Sequence, residues 1–187
     1  MRALPCEGFP CFGSEMSEIP FDRLGIPEVH RKPLQPGAPK KLRLAAASGK
    51  LPFPSEVGLS VAFVLLSDEE SEVAEAAEDY LRTLPEDLLL KVVGKSTHPK
   101  IIEFLVEKHL LDDRFLVRVV NLRHANARTL QWIAQEGSAA VIEALALNQE
   151  RLILEPDLFL ALRRNSKAGA ELLKRVESFL RMHDLFD

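Results

Sequence analysis

One short pattern returns at a fixed interval and limits what this chain can become. The apolar pairs Leu65-Leu66, Val92-Val93, Val119-Val120 and Ala146-Leu147 are followed by Ser67, Gly94, Asn121 and Asn148, each 27 residues after the last. Three of these four are Gly or Asn, residues that tolerate the left-handed backbone on which many helices end. Apolar residues also stand five and six places back, as Val61 and Ala62, Leu88 and Leu89, Phe115 and Leu116. The last unit keeps Ile142 but has Glu143 in the next place. All four positions fall on one face of an α-helix at about 3.6 residues per turn. The spacing therefore predicts an amphipathic helix closing every unit.

A second helical segment falls between closing helices, at 69–81, Pro99–Lys108 and 127–135, with apolar positions that drift by a residue or two between units. A helix pair of this size cannot bury its apolar face alone, and stacking such pairs makes a continuous core. The expected fold is all-α: a short right-handed α-solenoid of stacked helix pairs. A four-helix or orthogonal bundle is the alternative.

The domain plan follows from where the prolines lie. Residues 1–39 hold seven of the twelve prolines and four of the nine glycines, a density that removes amide donors and forbids long helices. This stretch is predicted to be an extended arm or linker ahead of a helical-repeat domain at 40–187. Phe9, Phe12, Ile19, Phe21, Leu24, Ile26 and Val29 are scattered through it, so docking in a groove and disorder both stay open. Its Cys6 and Cys11 are the only cysteines. Two thiols fall short of the three or four ligands a zinc site needs, so they are read as unpaired, with a metal or redox role as the weaker alternative.

Helices are predicted at 40–48, 55–66, 69–81, 86–93, 100–108, 110–120, 127–135, 139–147, 156–164 and 168–182. Ser67 to Glu70 reads as a capping box that starts the helix at 69. Pro85 and Pro99 read as first-turn prolines. Trp132 is expected in the core.

Chemistry leaves little trace. The five histidines form no pair at ligand spacing on one helix, and no metalloprotease, dinucleotide, phosphate-loop or nucleophile-elbow motif is present. Adjacent acids such as Asp112-Asp113 point about 100° apart on a helix and read as caps. No enzyme and no cofactor are expected. With 187 residues, 47% apolar and a net charge of −4, the composition is that of an ordinary globular chain. It gives no electrostatic reason to expect nucleic acid or an anionic membrane as the main partner. The chain starts without a leader-like apolar run and lacks a stretch of about 18 apolar residues. A cytoplasmic location is the expectation. One surface feature is projected onto a line by the repeat: Lys91 and Arg118 stand three places before Gly94 and Asn121, while Lys95, Arg123 and Arg151 follow their turns. Stacking would align these five as a basic binding ridge.

The runs VVG, RVVN and ALALN, with NQERLILEPDLFLALRRN at 148–165, resemble the HEAT-like and leucine-rich-repeat-variant helical solenoids, among them bacterial proteins with a block of this kind. The resemblance covers about residues 42–182 and rests on structural motifs. It implies protein–protein binding on a concave or edge surface. The four-cysteine iron–sulfur cluster of some variant-repeat proteins does not carry over to a chain with two cysteines. The DNA-processing members use a strongly basic face, which the acidity of this chain argues against. The functional expectation is a non-catalytic interaction module or scaffold whose partner is another protein. A nucleic-acid-binding HEAT-like protein using the basic edge is the alternative.

Overall fold

The computed structural model describes residues 20–35, 37–108 and 112–185. Among these residues all regular structure is helical, and the chain divides into two compact units, Met1–Thr83 and Leu84–Asp187. Cys6, Cys11, Phe9 and Phe12, with the first residues expected in the helix at 110–120, lie outside the described residues.

The first unit contains α1 (Lys40–Ala47), α2 (Ser55–Leu65) and α3 (Ser71–Thr83), each packed on the other two. α2 is apolar almost all round and is buried from Val57 to Phe63, as expected of a helix enclosed by its neighbours. The segment ahead of α1 is part of this unit. Its 3₁₀ turn Lys32–Leu34 packs on α1 and α2, and Leu24 and Ile26 are fully buried. Arg31 holds the segment in shape, donating from Nε to the Ile26 carbonyl at 2.8 Å and pairing with Asp22. Apolar side chains between the prolines thus find a core within the first unit.

α1 ends in a Schellman arrangement, with Lys50 N–H donating to the Ala45 carbonyl and Gly49 N–H to the Ala46 carbonyl. Gly49 is required twice over: its φ is +67°, and a Cβ there would stand 2.2 Å from the Tyr80 ring. The same packing buries the Tyr80 phenol and pushes its pKa up.

The capping box at Ser67 does not form. Asp68 accepts from Glu70 N–H at 3.0 Å and from Arg43 Nη1 at 2.8 Å. That pair holds the chain in a turn, and α3 starts only at Ser71. Lys40 joins the same contact through Glu72 at 2.8 Å and Glu70 at 3.1 Å, and these hydrogen bonds raise its pKa. The acidic start of α3 is therefore matched by bases of α1.

The second unit contains α4 (Glu86–Val92), α5 (Pro99–Lys108), α6 (Asp113–Val120), α7 (Ala127–Glu136), α8 (Ala139–Leu147), α9 (Gln149–Leu154), α10 (Leu158–Arg164) and α11 (Ala170–Met182). Contacts run along two rows: α4 to α6 to α8 to α11, and α5 to α7 to α10. Most of the apolar stripe read from sequence faces inward: Leu89, Phe115, Val119, Val120 and Ile142 have no exposed surface, each contributing about 2 kcal/mol of burial.

Three expectations change here. Asn121 and Asn148 have φ of −89° and −82°, and Gly94 is not among the positive-φ glycines, so none of the three ends its helix in left-handed backbone. α9 was not anticipated; it follows α8 directly, capped by Asn148, whose Oδ1 accepts from Arg151 N–H at 3.2 Å. Trp132 is half-buried, while Ile133 beside it takes the core position.

Candidate interaction surface

The second unit is tied along its length by capping side chains that serve two partners. Asn126 caps α7 through Thr129 N–H at 2.7 Å and donates back to Glu103 Oε2 at 3.0 Å. Ser138 caps α8 through Val141 N–H at 3.3 Å and donates to Asp113 Oδ2 at 2.6 Å. Asn148 caps α9 and donates to the Val120 carbonyl at 3.2 Å. Asn165 accepts from Lys167 N–H at 2.8 Å and donates to the Ala134 and Gly137 carbonyls, both at 3.0 Å. Helix termini leave donors and acceptors unsatisfied; Asn126, Ser138 and Asn148 each join a helix start to the preceding stretch of chain, and Asn165 joins the end of α10 to the break between α7 and α8. At one unit end Asn148 uses both sides of its amide, while at the other Asn121 donates to the Val117 carbonyl at 2.8 Å.

The basic ridge divides by environment. Lys91 and Lys95 are exposed. Arg123 is exposed and pairs with Glu150 at 3.2 Å. Arg118 donates from Nε to the Val93 carbonyl at 2.9 Å, which spends part of its guanidinium on the preceding helix end. Arg151 leaves the ridge: it is only 6% exposed, donates from Nη2 to the Leu122 carbonyl, and pairs with Glu155 at 3.2 Å. The backbone turn after α6 needs an internal donor, and Arg151 fills it.

One buried charge cluster lies between α5 and α7, and no sequence motif marks it. Glu103 is 1% exposed, with Oε2 held by Asn126 and by Lys100 Nζ at 3.4 Å, and Oε1 lying 3.4 Å from Arg128 Nε. Glu107 stands 3.5 Å from the same guanidinium. These contacts tie α5 to α7. Its only trace in sequence is a glutamate within the apolar run Ile101 to Val106. Among the described residues no group of three or more His, Cys, Asp or Glu could hold a metal ion.

A second polar pair sets a pH dependence. Burial first, then the neighbouring Asp112, pushes the Glu86 carboxyl up, while the hydrogen bond from Glu86 holds Asp112 down to about 2. Asp112 also caps α6 through Arg114 and Phe115 N–H. A depressed carboxyl contributes stability that is complete above its ordinary value of 3.8 and is lost as pH falls through about 2. The raised Glu86 works in the opposite sense, its contribution being present below 4.5 and lost as pH rises through its folded value. In thermal melts followed by circular dichroism, Asp112→Asn is expected to melt below the parent at about pH 5, with the gap closing towards pH 2.

Two shallow grooves meet at the end of α8. One, of about 540 Å³, is lined by Asn121, Arg123, Leu147, Asn148, Glu150 and Leu154 among others. The other, of about 340 Å³, is lined by Ala146, Leu147, Gln149, Arg175, Phe179 and Met182 among others. Leu147, Leu154 and Met182 are 64%, 65% and 74% exposed, which is unusual for large apolar side chains grouped rather than scattered. No reading of the basic ridge points to them. The repeat conceals Leu147, since the same register places Val93 and Val120 in the core.

No family model matches the chain, and no curated protein and no solved structure matches it. Among the described residues no helix is long and apolar enough to cross a membrane.

Proposed function

We propose that this chain is a non-catalytic protein–protein interaction module, built as a short right-handed HEAT-like solenoid of about 27-residue helix pairs and working in the cytoplasm. The observation that carries the reading is the group of exposed apolar side chains Leu147, Leu154 and Met182 on shared grooves of the second unit. The two helix rows and the two-sided caps support the solenoid, because each unit is bonded to the one before it. Polar groups that could do chemistry are spent on the scaffold, as in the Glu103 cluster and at Arg151. The partner is another protein that covers apolar surface. The test is affinity capture from host lysate on the full chain, before and after nuclease treatment and at rising salt. Capture of a protein that saturates and survives both treatments is expected. Retention of nucleic acid alone, with affinity falling steeply with salt, would replace this reading with the nucleic-acid one.

A further inference from the structure

A further groove lies between α10 and α11 and shares no residue with the two at the end of α8. It measures about 310 Å³, with Phe159 and Arg163 of α10 facing Ala170, Leu173, Lys174 and Glu177 of α11. Phe159 is 2% exposed and Leu173 half-buried, so both add apolar surface beneath the two cations.

Charge sets this edge apart. Arg163, Arg164, Lys167 and Lys174 are all exposed, and among the described residues none of the four is ion-paired. Arg163 lies over the Phe159 ring, 5.9 Å from its centroid, and Lys167 makes one long contact, to the Glu136 carbonyl at 3.5 Å. Further along α11 the pattern is different. Arg175 is paired with Glu143 at 2.6 Å and Arg181 with Glu177 at 2.9 Å, which commits the one acid of the groove. Glu171 is the only acid between Leu158 and Lys174. An incoming carboxylate therefore meets Arg163 and Lys174 without displacing any partner within the chain, which is the condition under which charge complementarity favours binding.

The size of the anion follows from the rest of the chain. A net charge of −4 means that a nucleic acid or an anionic membrane, spread over the molecule, meets its acids as well as this edge. A short segment senses only the local field, since charges beyond about 8 Å are screened at physiological salt. We infer that the α10–α11 edge is a binding surface for an acidic peptide segment of a partner protein, separate from the exposed apolar group that carries the interaction reading. The carboxylates of that segment meet Arg163 and Lys174 across the groove, Arg164 and Lys167 extend the basic edge, and an apolar side chain between the carboxylates rests against Phe159 and Leu173.

The probe is a fluorescein-labelled peptide of about 12 residues, about 40 Å long when extended. It carries glutamates on both sides of a central leucine, with glycine and serine elsewhere; a twin has glutamine in place of each glutamate. Fluorescence anisotropy with the full chain should give saturable binding of the glutamate peptide that weakens as salt rises, and binding at least tenfold weaker of the twin. Arg163→Glu and Lys174→Glu should each weaken the glutamate peptide at least tenfold. Both positions are exposed, so the variants should keep the parent circular dichroism. Lys91→Glu, an equally exposed cation on α4, and Leu147→Asp should leave the affinity unchanged. Equal binding of the two peptides, or binding indifferent to Lys174→Glu, overturns the proposal. Tighter binding of a thymidine 12-mer or of phosphatidylserine vesicles, abolished by Lys174→Glu, assigns the edge to another anion and overturns it too. So does a concentration-dependent dimer of the parent that Lys174→Glu makes monomeric, since acids of a second copy are then the occupant. Leu147→Asp tests the apolar group and Lys174→Glu tests this edge: a lysate protein captured equally by the parent and by Lys174→Glu, but lost with Leu147→Asp, leaves the interaction reading standing and removes this edge from it.

Discussion

Asn165→Asp is expected to lower the unfolding free energy by about 3 kcal/mol in urea titration at neutral pH. Asn165 is 5% exposed and donates its two amide protons to the Ala134 and Gly137 carbonyls, at the break between α7 and α8. A carboxylate of the same shape loses both donors and sets its charge against two carbonyl oxygens with little water to screen it. Asn165→Ala removes the donors without adding the charge and should cost less, about 2 kcal/mol. In acid, protonation of the new carboxyl restores one donor, so the loss for Asn165→Asp should shrink below about pH 4. A loss under about 1 kcal/mol at neutral pH would mean that this amide does not join α10 to the α7–α8 turn.

Arg151→Ala should cost about 3 kcal/mol, whereas Arg123→Glu should change stability by less than about 0.5 kcal/mol. The sequence places both on one basic ridge, and the two differ only in surroundings. Truncating Arg151 leaves the Leu122 carbonyl and the half-buried Glu155 carboxylate without their donor. Removing the exposed guanidinium of Arg123 costs one surface pair with Glu150, the kind of interaction that contributes little. Equal losses for the two variants would mean that Arg151 is solvated like its neighbour. Arg151→Met, which keeps most of the stem, should fall between the two because the apolar part of the side chain stays packed.

Helices and their faces were legible because periodicity reports burial directly. α1, α4 and α8 begin where the sequence places them and α7 ends within a residue, since proline, serine or asparagine marks their starts and an apolar stripe runs through each. Capping was legible only in part. Asp112 caps as a short acceptor does, but Ser67 lost its role to Asp68 because Arg43, 25 residues earlier, claims that carboxylate. A pairing over that distance leaves no local trace. The asparagines at 121 and 148 were found for the wrong reason: the spacing exposed them, while their use lies in side-chain amides that bond the Val117 and Val120 carbonyls. α9 escaped because six residues give too little period to separate a short helix from a loop. Charge was the least legible of all. Arg151, Arg118 and Arg123 look alike in sequence, and only packing decides which of them is internal. The exposed Leu147 passed as one more member of the stripe, because exposure depends on whether a neighbouring helix arrives.

The most direct test of an interaction module centred on the second unit is a hydrogen-exchange footprint of the full chain, alone and saturated with its captured partner protein. The expected result is slowed exchange confined to the end of α8, α9 and the last turns of α11, weakened in step with partner affinity by Leu147→Asp. Protection spread evenly over the chain, or concentrated on the exposed Lys91 and Lys95 with α8, α9 and α11 unchanged, would contradict it.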